Sequence, residues 1–149
     1  MNRLSEDLDH ILNHVGDKWY ELKDKSIFIT GGTGFFGCWL LESLIWANKK
    51  YGLNTKVIVL TRNYKAFQKK APHLSNDSYI NFVEGDIINF EFPEYKFDYI
   101  IHAATDVSTM NVSSQQESHK SVYDVIAEGT RRVLEFAVHC RAKNMLITS

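Results

Sequence analysis

Apolar residues recur along this chain at two alternating periods. Leu4, Leu8, Ile11, Leu12, Val15, Trp19 and Leu22 fall at helical spacing, which predicts an amphipathic helix from Leu4 to about Leu22, broken near Gly16. A short apolar run, Ser26–Thr30, then reads as a strand, and Phe35–Lys50 as a helix ending near Gly52. Lys56–Leu60, Tyr79–Val83, Phe97–His102 and Asn144–Thr148 read as further strands. Between them lie a short helix over Tyr64–Lys70, stopped by Pro72, and a long helix over Val122–Cys140. Continuous apolar strands alternating with helices predict an α/β fold with a parallel sheet covered on both faces. Right-handed crossovers then give a doubly wound sheet in the order 3-2-1-4-5. The first helix precedes the first strand, where such a fold does not need it. It is expected to pack on the domain edge or on a partner. The expected division is a helical extension over residues 1–24 and a sheet domain over 25–149.

The turn between the first strand and its helix carries the strongest chemical signal. Ile27-Phe28-Ile29-Thr30-Gly31-Gly32-Thr33-Gly34-Phe35-Phe36-Gly37 places glycines at 31, 34 and 37, and Gly32 adds a second register. A strand, a glycine turn and a helix in this order read as a Rossmann-type dinucleotide site. Gly31 or Gly32 permits the tight turn, Gly34 lets backbone approach a pyrophosphate, and Gly37 lets the helix pack on the strand. The free N–H groups at the helix start face the phosphates, and the helix dipole favours their charge.

Composition narrows the alternatives. The chain has 149 residues, 44% of them hydrophobic, which suits about one domain with a real core. Its net charge of −1 argues against a nucleic-acid or membrane-surface partner. No apolar run reaches the roughly 20 residues of a membrane helix. The first residues are acidic and lack the apolar core of a secretion signal. Two cysteines, Cys38 and Cys140, make no disulfide framework, so a reducing cytoplasm is the expected compartment. Cys38, at a helix start, is a candidate for a lowered pKa or simply a small packed residue. His10 and His14, with Glu6 one turn earlier, share a helix face, but amphipathic helices commonly turn such residues outward and no metal site is expected.

Two motifs lie downstream of the glycine turn: Gly85-Asp86-Ile87 after the third strand, and His102-Ala103-Ala104-Thr105 at the end of the fourth. Together with the glycine turn they resemble the extended short-chain dehydrogenase/reductase superfamily. Within it, Lys25–Ser149 is similar to the NAD-dependent epimerase/dehydratase family of nucleotide-sugar enzymes. The resemblance implies cofactor binding by Gly31, Thr33, Gly34, Phe35, Phe36 and Gly37. It also implies that Asp86 pairs with the adenine amino group, that Ile87 packs beside the ring, and that Ala103, Ala104 and Thr105 let the cofactor pass close to the sheet. A turn or capping role is the alternative for Asp86, and helix packing for the alanines. His102 reads as structural. Asp106, Ser108 and Thr109 are candidates for a substrate pocket or are ordinary loop polarity.

The end of the second strand bears on cofactor choice. An acid there binds the ribose 2′-hydroxyl of NAD, and an arginine accommodates the 2′-phosphate of NADP. Here the strand ends Leu60-Thr61-Arg62-Asn63, and no acid occurs between Glu42 and Asp77. The same stretch holds Lys49, Lys50, Lys56, Arg62, Lys65, Lys69 and Lys70. The charge favours NADP over NAD. Arg62 contacts either the 2′-phosphate or the adenine face. Most of the lysines are expected on a solvated face.

The family's chemistry uses a Ser or Thr after the fifth strand and a Tyr-x-x-x-Lys. None of the seven tyrosines here has a lysine four residues on. Ser149 aligns one residue short of the reactive hydroxyl and is a weak candidate for it. A family asparagine three residues before Gly129-Thr130 is replaced by Ile126. The expectation is therefore the NAD(P)-binding portion of a nucleotide-sugar epimerase or dehydratase. Hydride would pass from a sugar C4, the 149 residues alone would be inactive, and the sugar-binding domain would lie outside them. The resemblance also implies a homodimer paired through helices such as Val122–Cys140. The rivals are an NADP-binding regulatory protein without chemistry and an NADP-dependent reductase of a non-nucleotide carbonyl compound.

Overall fold

The computed structural model describes residues 4–104 and 122–148. In chain order the elements are α1 (Ser5–Val15), a 3-10 helix (Gly16–Leu22), β1 (Ser26–Thr30), α2 (Phe35–Tyr51), β2 (Lys56–Thr61), α3 (Tyr64–Lys70), α4 (Pro72–Ser75), β3 (Ile80–Glu84), β4 (Tyr99–His102), α5 (Val122–His139) and β5 (Asn144–Ile147). The five strands form one parallel sheet in the predicted order β3-β2-β1-β4-β5.

Period-two alternation divides the core between the two faces of the sheet. Ile27 and Ile29 of β1 join Val57 and Val59 of β2, with Leu41 and Ile45 of α2, on one face. Phe28 points to the other face, where it meets Phe90, Phe97, Ile100 and, from α5, Val133 and Phe136. Its ring lies 4.7 Å from Phe136, 5.3 Å from Phe97 and 5.8 Å from Phe90, centroid to centroid. Contacts at these spacings add to the area buried.

The predicted N-terminal helix is two elements. Gly16, at φ +60° and ψ −138°, ends α1, and the chain continues as a 3-10 helix. Leu8 and Leu12 are buried, Trp46 Nε1 donates to Asp9 Oδ1 at 2.8 Å, and Thr55 Oγ1 donates to the Leu22 carbonyl at 2.8 Å. The extension thus packs on α2 and on the start of β2. Pro72 does more than end α3. It opens the one-turn α4, where a residue with no N–H is tolerated at the first position. Among the described residues, no helix is long and apolar enough to cross a membrane.

The lower rim of the sheet is clamped by Asp98. Its Oδ2 accepts from the Ser26 N–H at 3.1 Å and its Oδ1 from Lys143 Nζ at 2.9 Å. Those bonds, Lys143 first, hold the carboxyl below its ordinary pKa. The carboxyl ends of the strands form the opposite rim.

Candidate dinucleotide site

The glycine turn is built backbone on backbone. Gly31 adopts φ +74°, a left-handed conformation, and a Cβ there would sit 2.3 Å from the Ala103 carbonyl oxygen. The main chain after β1 therefore lies directly against the main chain after β4. A Cβ at Gly37 would lie 2.2 Å from the Gly31 oxygen and 2.5 Å from Gly32 Cα. Gly37 thus accommodates the turn itself, whereas sequence reasoning had it packing helix on strand. Gly34 differs from both. It is exposed, it precedes the first residue of α2, and its N–H donates to the Gly31 carbonyl at 3.1 Å. A Cβ on Gly34 would meet only the Gly31 oxygen, at 3.3 Å. Its lack of a side chain keeps the outer surface of the turn open.

A cleft opens over this turn, between β1 and β4, where the strand order reverses. Ligands of such sheets bind at this switch point. Of the residues singled out in the sequence, Gly31, Thr33, Gly34, Arg62, Asp86, Ile87, Ala103 and Ala104 line it. Phe35 and Phe36 stand beside it on the first turn of α2, 83% and 57% exposed. Gly37 is buried beneath the turn and lines nothing. Thr105, Asp106, Ser108, Thr109 and Ser149 lie outside the described residues.

Asp86 takes its turn role and faces the cleft as well. Its Oδ1 accepts from the Ile88 N–H at 3.1 Å, and its carbonyl accepts from Phe90 N–H at 2.8 Å. The structure therefore places the carboxylate at the cleft wall by means of the turn it caps. Gly85 beside it is needed for space, since a Cβ would come within 2.9 Å of Phe90 Cβ.

His102 is structural, as its sequence context suggested, but its partners come from distant parts of the chain. The ring is buried among hydroxyls: Thr30 Oγ1 lies 2.7 Å from Nδ1 and Thr130 Oγ1 lies 3.2 Å from Nε2. Thr30 Oγ1 also accepts from the Ala104 N–H at 3.4 Å. Each ring nitrogen therefore has a hydroxyl partner, and a hydroxyl can donate or accept. Burial pushes the ring's pKa down, so it stays neutral. One buried ring thus ties the end of β1, the end of β4 and α5 around the cleft. From α5, Val125, Ile126 and Gly129 complete the wall. The Ile126 side chain makes this part of the wall apolar. The sequence singled out Ile126 and Gly129 by motif, but only the crossover that brings α5 over β4 makes them part of the wall.

The basic stretch after α2 divides in three dimensions. Lys49 pairs with Asp77 at 2.8 Å, and Lys50 with Asp9 at 3.5 Å. Arg62 is exposed at the cleft. Lys70 Nζ donates to the Thr33 carbonyl of the glycine turn at 2.9 Å. Cys38 is not an activated thiol: burial raises its pKa more than Lys70 lowers it. Among the described residues, no cluster of His, Cys, Asp and Glu can hold a metal.

Comparison with known proteins gives the same assignment. No curated protein sequence matches the chain. Solved structures do match. An epimerase of the methanogen Methanothermobacter thermautotrophicus superposes with TM-score 0.64 at 23% identity, over 93% of this chain and 39% of its own. The protein Pen of Bacillus thuringiensis gives 0.60 at 23% identity, over 86% of this chain and 38% of its own. The dTDP-glucose 4,6-dehydratase DesIV of Streptomyces venezuelae, solved with NAD and TYD bound, gives 0.57 at 24% identity, over 80% and 38%. At these identities the likeness is one of fold, and this chain spans about two-fifths of the length of those proteins. A family profile described as NAD dependent epimerase/dehydratase family matches residues 27–149, which takes in all the strands but Ser26 and the whole cleft. The chain therefore belongs to the NAD dependent epimerase/dehydratase family.

Proposed function

We propose that the chain forms the dinucleotide-binding part of an enzyme that oxidises the C4 hydroxyl of a nucleotide sugar, with NADP favoured over NAD as cofactor. The observation that carries the reading is the open turn at Gly34, set beneath a cleft at the sheet's switch point. The cofactor, when bound, supplies the hydride acceptor. The chain's own residues bind and orient it. Backbone N–H groups at the start of α2 face the pyrophosphate. Asp86 and Ile87 take the adenine, and Arg62 takes the ribose phosphate. Ala103 and Ala104 leave the narrow passage along the sheet.

Within these 149 residues, no tyrosine is followed by a lysine four positions on. In this reading the acid–base pair therefore comes from outside them. The same fact favours a second reading, a dinucleotide-binding regulatory protein with no chemistry. Exposed Leu134 and Val138 on α5 support a homodimer packed through that helix. Two free cysteines suit the cytoplasm.

The test is calorimetric titration of the chain with NADP and NAD, followed by incubation with a panel of nucleotide sugars. Saturable binding at one site per chain, tighter for NADP, is the expected result. Absence of binding to either dinucleotide would remove both readings. Turnover by the 149 residues alone would place the acid–base pair inside them.

A further inference from the structure

We infer that His102 is a positioning residue for the dinucleotide cleft: through its bond to Thr130 it holds the first half of α5 in place as a wall of that cleft. This deepens the dinucleotide-binding reading above and rests on it. Val125, Ile126 and Gly129, all in the first half of α5, line the cleft. The buried apolar anchors of the helix lie further on, at Val133 and Phe136, in the aromatic cluster around Phe28. Tyr123 and Ile126, ahead of them, are 77% and 42% exposed. The core grips the second half of α5, and the cleft is walled by the first.

Two described contacts hold that first half down. Gly129 lies against Ile87, where an added Cβ would come within 3.1 Å of two side-chain carbons of Ile87. One residue on, Thr130 Oγ1 lies 3.2 Å from His102 Nε2. A shift of α5 away from the ring therefore also moves the wall away from Ile87, which itself lines the cleft. The other end of the ring meets Thr30 Oγ1 at 2.7 Å, but β4 does not depend on that bond for its place. The ladder already pairs β4 with β1, the Ala103 N–H donates to the Thr30 carbonyl at 3.1 Å, and the Thr148 N–H donates to the His102 carbonyl at 3.0 Å. What the side chain adds is the tie to α5. His102 is 5% exposed, so a ring nitrogen that lost its hydroxyl would be left unpaired away from water, which is unfavourable. The bond thus favours the docked helix over one moved off the cleft. A dinucleotide that needs the docked arrangement has its apparent affinity scaled by the fraction docked.

The experiment measures Kd for NADP and NAD by calorimetry on the wild-type chain, Thr130→Val, Thr130→Ser, His102→Asn and the double variant Thr130→Val/His102→Asn, with urea denaturation of each to count the folded fraction. Valine keeps the shape of threonine and removes its hydroxyl, and serine keeps the hydroxyl. The shorter asparagine amide still serves Thr30 but does not reach Thr130. Thr130→Val and His102→Asn should each weaken both dinucleotides alike, by roughly two- to tenfold, the range of one net hydrogen bond. The double variant should bind no more weakly than the weaker single, because both changes remove the same bond. Thr130→Ser should regain most of the affinity. Variants that lose stability but bind as the wild type does would leave His102 a brace of the fold alone, and the inference falls while the dinucleotide reading stands. It falls in the same way if the two losses add in the double variant, or if serine rescues nothing. A wild-type chain that binds neither dinucleotide would overturn the dinucleotide reading and this inference with it.

Discussion

One methyl group added at Gly34 should remove dinucleotide binding and leave the fold standing. Gly34 has φ −74° and ψ −177°, extended backbone open to any residue. Alanine there meets a single neighbour, the Gly31 oxygen at 3.3 Å, which must yield by a few tenths of an ångström. Against that small cost, alanine restricts the unfolded chain, an effect of about 0.4–1 kcal/mol in favour of the fold. The two nearly cancel, so stability should stay within about 1 kcal/mol, or roughly 2–4 °C in Tm for a chain of this size. Binding should respond otherwise. The methyl occupies the space where the pyrophosphate must approach the turn. Losing two hydrogen bonds to a charged group costs about 3 kcal/mol or more. That is at least about a hundredfold in Kd. Gly37→Ala provides the contrast. Its Cβ would press on main-chain atoms at 2.2 and 2.5 Å, and the turn cannot yield without moving β1. A loss of about 1–3 kcal/mol or more in stability is expected, alongside lost binding. Urea denaturation and calorimetric titration on both variants separate the cases. Unchanged dinucleotide affinity in Gly34→Ala would refute the assignment of the turn to the pyrophosphate. Collapse of that variant would refute the claim that Gly34 serves the ligand rather than the fold.

Other consequences can be measured on the same material. Arg62→Ala should weaken NADP more than NAD, by about 1.5–3 kcal/mol; equal weakening in titration would mean that Arg62 stacks on adenine instead. Phe28→Ala empties the centre of the aromatic cluster under α5 and should cost about 3–5 kcal/mol in urea denaturation. A cost below about 1 kcal/mol would mean that the cluster refills. Burial depresses the His102 pKa, so the ring is neutral in the fold while the unfolded ring takes a proton near pH 6.5. The neutral ring's contribution is complete above that pH and is lost as pH falls toward the folded value. Stability measured at pH 7.5 and pH 5 should therefore fall more steeply in the wild type than in His102→Asn, and equal slopes would contradict the buried neutral ring. Asp98 is depressed as well, so its contribution is present above the ordinary carboxylate pKa and is lost as pH falls through the folded value.

Much of the fold was legible because strands and helices announce themselves locally. A run such as Ile27-Phe28-Ile29 has no polar face to turn to water, which forces a strand buried on both sides. Handedness of the crossover, with the glycine turn's place after the first strand, then pointed to the doubly wound order. The glycine turn was legible for the same reason: it lies within eleven consecutive residues, and its spacing is read without knowing what surrounds it. Arg62 and Asp86 were found by their place at strand ends. The N-terminal extension was read as a single helix with a weak point. The structure divides it there, because Gly16 adopts a positive φ that an α-helix cannot continue through.

Tertiary structure alone decided the rest, and separation along the chain is the reason. Thr30 and His102 are 72 residues apart, and Thr130 is a further 28 on. Nothing in the local pattern of any one of them marks a bonded trio. Lys70 and Thr33 are separated by 37 residues, and the sequence could only count Lys70 among seven similar cations. Gly37 was assigned to the strand from its spacing, yet its missing side chain is required by Gly31 and Gly32, atoms whose positions follow from the turn's closure. Ile126 and Gly129 became cleft walls only once α5 crossed over β4. Periodicity states which face of an element is buried. Which distant residue it is buried against is set by the packing of whole elements, and that is where the details of this site arise.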